Sequence, residues 1–452
     1  MTKHNSPIKS SIKINNCDIS TDNLYPYMKK SYLLIIISSI YFSCKKTEPT
    51  PTPSTPVVTN PTVPTACPVV SISDINKKTS HYNPYFVPFT DYWGISKVAP
   101  SNCTDITGRT YLNINNNDIP DLIITITNGC GFDKGKILVY IDNVLKWSFE
   151  DPQVLTRKVA RGDLNGDGID DVVLFGHGHD GPPYPGDKNY IIYFKPDSYS
   201  TVLLDSVSAF HHTGCLGDIN NDGYLDIIPV ANQMKDCYAY LNDGKGSFTK
   251  KKILDAKETD VAFHMELYDF NKDGNLDIIM GGHEWADYPF QSPINRIMYG
   301  DGKGNFDVAN ALKLPSVDGW GVITDFDIYD LDNDGVEEIL VTRTAGSLGS
   351  GKKGPQKNPN GFYDDFRIQV IKKVGSSYVQ SQLLPSPPGW NKTSYQWIDW
   401  ISVKDIDGDC ILDIVPDSER LNMPNHFELF PFNKLYYKGD GKGGFLIAYK
   451  KG

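Results

Sequence analysis

The most regular feature of the chain is an alternation between acidic nonapeptides and apolar runs. Six nonapeptides recur: NINNNDIPD from Asn113, DLNGDGIDD from Asp163, DINNDGYLD from Asp218, DFNKDGNLD from Asp269, DLDNDGVEE from Asp330 and DIDGDCILD from Asp405. Each runs directly into a β-branched stretch (DLIITI, DVVLFG, DIIPVA, DIIMGG, EEILVT, DIVPDS), and a second apolar stretch follows (ILVYID, YIIYFK, YAYLND, RIMYGD, RIQVIK, KLYYKG). Short β-branched runs bounded by Asn, Asp and Gly read as strands. Three of the second runs enter near-identical turns, NDGKGSF, GDGKGNF and GDGKGGF, whose glycines suit a tight hairpin at positive φ. Counting one strand before each nonapeptide and one after each turn, the unit has four antiparallel strands, A to D. The nonapeptide is its A–B loop.

The starts of successive copies lie 50, 55, 51, 61 and 75 residues apart. Four-stranded units at such a period are blades of a β-propeller, an all-β ring that leaves no long sheet edge exposed. Calcium-binding β-helix repeats are far shorter. Six copies predict six blades within residues 67–452, with residues 67–105 left to supply a closing strand, a plug or a degenerate seventh blade. The segment RTAGSLGSGKKGPQKNPNG, from Arg343, accounts for the longest separation and reads as a mobile insertion.

The first 66 residues have another character. Residues 28–44, MKKSYLLIIISSIYFSC, pair a basic start with an apolar run too short to span a bilayer as a helix, the pattern of a secretory signal. Ser43–Cys44 resembles the lipobox of bacterial lipoproteins, which implies lipidation of Cys44. Residues 1–27 then form an upstream extension, with Met28 as the expected start. Residues 45–66 are rich in Pro and Thr, which favours an extended stalk. Anchor and stalk together place the domain outside the cytoplasm, at an outer membrane or cell surface.

Composition narrows the choice of partner. A net charge of −11 argues against binding nucleic acid through its phosphates. The eight cysteines include no CxxC pair, so a thiolate zinc site lacks support. The nonapeptides are the candidate chemistry. Oxygen ligands at alternate positions, a glycine for the sharp turn and a closing carboxylate suit a hard cation such as Ca²⁺. The last carboxylate stands at position nine where an EF-hand has position twelve, and strands flank the loop in place of helices.

The expected ligands are Asp163, Asn165, Asp167 and Asp171; Asp218, Asn220, Asp222 and Asp226; Asp269, Asn271, Asp273 and Asp277; Asp330, Asp332, Asp334 and Glu338; and Asp405, Asp407, Asp409 and Asp413. Four carboxylates make the fifth-unit site an expected strong one. The sixth has Cys410 where glycine belongs, which strains the turn, and the first offers only Asn113, Asn115, Asn117 and Asp121, so it is expected weak or empty. About five bound Ca²⁺ ions would offset most of the charge of −11 and act as folding ligands.

These loops and the GDGKGxF turns resemble FG-GAP/VCBS repeats, the units of integrin α-subunit propellers and of bacterial surface proteins. The resemblance implies a calcium-binding propeller, but not a single activity, since similar propellers serve adhesion, lectin and polysaccharide-lyase proteins.

Calcium loops and C–D turns share one face of a propeller, so the B–C and D–A loops on the other are where ligands are expected. Histidines gather there: His177, His179, His211, His212, His264 and His283, with Glu284 beside them. A shared metal or acid/base centre is one reading, and unrelated core and surface histidines is the more economical one. Trp285, Trp320, Trp390 and Trp400 offer faces for sugar rings, though about half would be expected to pack blades instead. The first functional expectation is a membrane-anchored binding protein for glycan or protein; the alternative is a lyase-like, polysaccharide-active enzyme using the histidines.

Overall fold

The computed structural model describes residues 12–14, 17–19, 72–80 and 82, and most of 104–449. Within that last range it leaves out 118, 129–133, 180–182, 232–234, 260–261, 285–294, 347–364, 387–397, 399 and 418–434. The chain divides into residues 1–65 and residues 66–452. In the first unit the described residues form a short antiparallel hairpin, Ile12–Ile14 with Cys17–Ile19. The signal, Cys44 and the stalk lie outside the described residues.

The second unit is a six-bladed β-propeller: six four-stranded antiparallel sheets follow one another along the chain, each with its strands in sequence order. The A strands are Thr104–Leu112, Thr156–Gly162, His211–Gly217, Ala262–Tyr268, Val322–Tyr329 and Trp400–Lys404. The B strands are Asp121–Asn128, Asp171–Gly176, Asp226–Ala231, Asp277–Gly282, Glu338–Thr344 and Asp413–Asp417. Every B strand therefore begins on the ninth residue of a nonapeptide, and every A strand ends on the residue before the first. The repeat is the A–B loop, as its pattern predicts.

Side chains of neighbouring sheets interdigitate to make the core. Cys215, Ile228, Val230 and Leu254 of blade 3 pack with Met265, Leu267, Ile278 and Met280 of blade 4, and comparable clusters join blades 1 to 2, 2 to 3, 4 to 5 and 5 to 6. This explains why B strands such as Asp171–Gly176 are buried throughout and lack a polar alternation, while outer D strands such as Ser198–Leu203 are largely exposed. In the Asn242–Phe248 turn, Gly244 and Gly246 take φ of 73° and 80°, and Asp243 accepts the amides of Lys245 and Ser247. That geometry is why the GDGKG pattern recurs.

Residues 72–80 and 82 form a plug against blades 2 to 4. Asn76, in the short helix Asp74–Lys77, accepts the Asp269 amide through Oδ1 at 2.9 Å. Ser80 exchanges two hydrogen bonds with Leu216, and Arg161 donates to the Tyr82 carbonyl. All three partners lie at or just beyond the ends of A strands, so the plug closes the axial end on the A–B loop side of blades 2 to 4.

Candidate functional site

The loops fold around their own carboxylates. In the second copy Asp163 accepts the amides of Gly166 and Gly168, Asn165 accepts that of Asp167, and Asp167 accepts that of Ile169. The ninth residue is held from two sides: Asp171 takes the Leu164 amide on one oxygen and the Phe194 amide on the other. Asp226, Asp277 and Asp413 repeat this with Ile219 and Asn242, Phe270 and Gly300, and Ile406 and Gly439. Burial with acidic neighbours pushes Asp171 up to about 8, and Asp226 and Asp277 up to about 7, despite those amide bonds.

In the fifth loop, carboxylate oxygens of Asp330, Asp332 and Glu338 lie within 4.8 Å of one another, and in the sixth those of Asp405, Asp407 and Asp413 do the same. Asp332 Oδ1 is a buried oxygen with no hydrogen-bond partner. An all-oxygen donor set with an orphaned acceptor fits a hard cation. Cys410 takes φ 67° in the glycine place of the sixth loop and is disulfide-bonded. The first loop is built differently: Asn115 and Asn117 donate their side-chain amides to Asp142 at 2.9 and 2.6 Å. Those amide donors close the first loop by themselves.

A second constellation sits at the axis and arises from an irregularity of the A strands. In blades 1 to 5 the A–B register shifts by one residue near the start of the A strand, for example between Thr156 and Lys158, His211 and Thr213, Ala262 and His264, and Ile323 and Asp325. A bulge re-aims the side chains beside it. The extra residues of blades 2 to 4, Arg157, His212 and Phe263, stack together: His212 lies on Phe263 at 4.5 Å between centroids and the Arg157 guanidinium covers that ring at 4.9 Å. His177 approaches His212 at 4.7 Å and Phe210 at 3.6 Å, and His283 reaches Phe263 at 5.6 Å.

The next residues form a polar network. Lys158 donates to Glu266 and lies 3.4 Å from Thr213 Oγ1 and from His264 Nε2, which is 3.0 Å from Glu266 and 3.1 Å from Asp325. Burial, with Asp327 beside it, holds Asp325 well above the usual carboxylate range, and burial beside Glu266 pushes Asp327 up to about 8. The sequence pattern missed Lys158, Glu266, Asp325 and Asp327. Counting back five residues from each nonapeptide would have aligned Lys158, Thr213, His264 and Asp325.

A model of the FG-GAP-like repeat family matches residues 218–280, from the third A–B loop through most of blade 4's B strand. One FG-GAP-like repeat is thus matched within this β-propeller. No curated protein sequence matches it. Among solved structures it is similar to the exotype rhamnogalacturonan lyase YesX, at 14% identity and TM-score 0.37 over 69% of this chain and 60% of that one. It is similar to the V. cholerae biofilm matrix protein Bap1 at 13% identity and TM-score 0.31, over 77% and 81% of the two chains. It is likewise similar to the N-terminal domain of Nup159 at 12% and 0.32, over 77% and 95%. The propeller chain thus spans about 60% of the length of YesX.

On the face of the propeller away from the A–B loops, the histidines do not meet at one centre. His177, His212 and His283 belong to the aromatic stack, His264 to the axial network, and His211 bonds the Gly176 carbonyl and the Asn189 amide in the core. His179 is half-buried. Glu284 is not an assisting acid: it pairs with the fully buried Arg343 at 2.6 Å. Trp320 is only 8% exposed, beneath Arg367 at 4.1 Å, so it packs a blade and offers no open face. Trp285 and Trp390 lie outside the described residues, as does the side chain of Trp400. Arg343 itself belongs to a B strand, so the insertion starts later than its composition suggests.

Burial drives the imidazoles toward the neutral form: His211 and His283 are lowered to about 4, and His177 and His212 well below their ordinary value. The unfolded chain takes up protons near pH 6.5 that the folded one refuses until about pH 4. The contribution of these imidazoles to stability is therefore full above that upper value and is lost as pH falls through the interval. The buried carboxylates raised toward neutrality oppose this, so the readout is a difference: as pH is lowered from 7 to 4.5, the urea midpoint of His211→Gln should gain on that of wild type.

A cleft of about 660 Å³ opens on this same face beside blade 3. Ala209, Pro229, Ala231 and Ala256 form apolar parts of its lining, with Asp205, Lys235, Asp236 and Lys250 among its polar residues. Lys250 pairs with Asp205 at 3.1 Å and covers the Tyr238 ring at 4.5 Å, while Tyr240 donates its hydroxyl to Asp205. Lys235 donates to the Ser208 carbonyl at 2.7 Å.

Proposed function

We propose that this propeller is a calcium-stabilised binding protein, tethered outside the cytoplasm through a lipid on Cys44 and its Pro/Thr stalk, that takes a glycan or protein ligand on the face opposite its A–B loops. The cleft beside blade 3 carries the binding half of this reading. Its volume is that of a small-molecule or sugar site. Lys235 uses one of its three ammonium donors on Ser208, which leaves two for a ligand. Apolar lining between groups of both signs suits a ring with C–H faces and hydroxyl edges. The A–B loops support the calcium half, since a divalent ion would take the place of the protons that buried Asp171, Asp226 and Asp277 otherwise hold.

A glycan array probed with calcium-loaded protein tests this. A bound glycan should lose about tenfold or more in affinity on Lys235→Ala, and on Ala231→Trp, which fills the cleft, with unchanged melting temperature. Binding that survives both variants moves the site elsewhere on the face. Ultraviolet-absorbing unsaturated products from acidic polysaccharides would instead favour the lyase reading, with Lys158, His264 and Glu266 the first residues to replace.

A further inference from the structure

The A–B loops that have four carboxylates each have a lysine against them. Position three is Asn165, Asn220 and Asn271 in the second to fourth copies and becomes Asp332 and Asp407 in the fifth and sixth. Lys372 donates to Asp332 Oδ2 at 2.7 Å and lies 3.4 Å from Glu338. Lys438 donates to Asp407 and Asp409, and Tyr436 donates to Asp407 as well.

The two lysines occupy one structural position. Each follows the C-strand residue paired with the second residue of its B strand, Ile371 opposite Ile339 and Tyr437 opposite Ile414. The same position holds Tyr193, Leu241 and Tyr299 in blades 2 to 4, after Ile192, Tyr240 and Met298. The added aspartate and the added lysine therefore arrive together, twice, and each ammonium bonds the added carboxylate. The added carboxylate thus comes with a positive charge of its own.

We infer that Lys372 and Lys438 are tethered counter-cations that make the fifth and sixth loops a second class of cation site. They hold these two loops together without metal, and an arriving divalent ion must take Asp332 or Asp407 from an ammonium that stays close by. The fourth carboxylate thus does not make these loops the strongest sites, as its charge alone would suggest. This rests on the calcium reading of the repeat, and the experiment separates the two.

Calcium binding by the whole protein is followed by titration calorimetry, and thermal midpoints are recorded with chelator and with Ca²⁺, for wild type, Lys372→Met and Lys438→Met. Each variant should bind Ca²⁺ about tenfold or more tightly at one site, because a positive charge beside the ion is gone. Each should also melt lower in chelator while regaining its midpoint in Ca²⁺. An ordinary surface ion pair would shift neither affinity nor this difference. Wild-type binding with unchanged affinity in both variants overturns the inference and leaves the calcium reading standing. A wild type that takes up no Ca²⁺ overturns both. Lys372→Arg, which keeps the charge, should behave as wild type.

Discussion

Adding millimolar Ca²⁺ to chelator-stripped protein is expected to raise its thermal midpoint by on the order of ten degrees. A site filled at a hundred times its dissociation constant contributes about 2.7 kcal/mol, and a domain of this size has an unfolding entropy that converts several such contributions into a shift of that order. The effect should be concentrated in blades 2 to 4, where Asp163, Asp167 and Asp171 and their counterparts have no lysine against them among the described residues. Asp171→Asn, Asp226→Asn and Asp277→Asn should each abolish one site and also lower the midpoint in chelator, because a carboxamide keeps one acceptor oxygen where the carboxylate takes two backbone amides on separate oxygens. Differential scanning fluorimetry with Ca²⁺, Mg²⁺ and chelator reads this directly. Equal midpoints in chelator and Ca²⁺ would remove calcium as a folding ligand.

What could be read from the chain was local. The nonapeptide sets both of its own strand boundaries, since Asp163 follows the last A residue and Asp171 is the first B residue. The glycines of NDGKGSF fix the C–D turn by φ alone. What stayed hidden depends on neighbouring blades. The loop pattern assigned the histidines to one face without separating them, but a one-residue bulge sends His212 into the aromatic stack and its analogue's neighbour His264 into the polar network. A slip of one residue exchanges the two sides of a strand, and no pattern in a single blade reports it. Lys372 was equally silent: its partner Asp332 is forty residues earlier, and only the sheet register brings them together.

Replacing Arg343 by Met should cost about 3–5 kcal/mol, more than any other single change considered. Its guanidinium is fully buried and its hydrogen bonds are distributed among four partners. Nε donates to Gln369 at 2.8 Å, Nη1 to Glu284 at 2.6 Å and to the Trp320 carbonyl at 3.0 Å, and Nη2 to the Pro315 carbonyl at 3.1 Å. Without it Glu284, 8% exposed, keeps only Ser316 as a described side-chain partner, at 2.6 Å, and its buried charge is left uncompensated. Glu284→Gln should therefore recover part of the penalty in the double variant. A cycle of the two single changes and the pair, read by urea denaturation, isolates the coupling. These partners come from the end of blade 4's B strand, the connection into blade 5 and the C strand of blade 5, so the loss should also loosen the face on which the ligand is proposed to bind. Hydrogen exchange should report that loosening at the Glu284 and Trp320 amides, which donate to the Gly321 and Val317 carbonyls, before the A–B loops on the opposite rim respond.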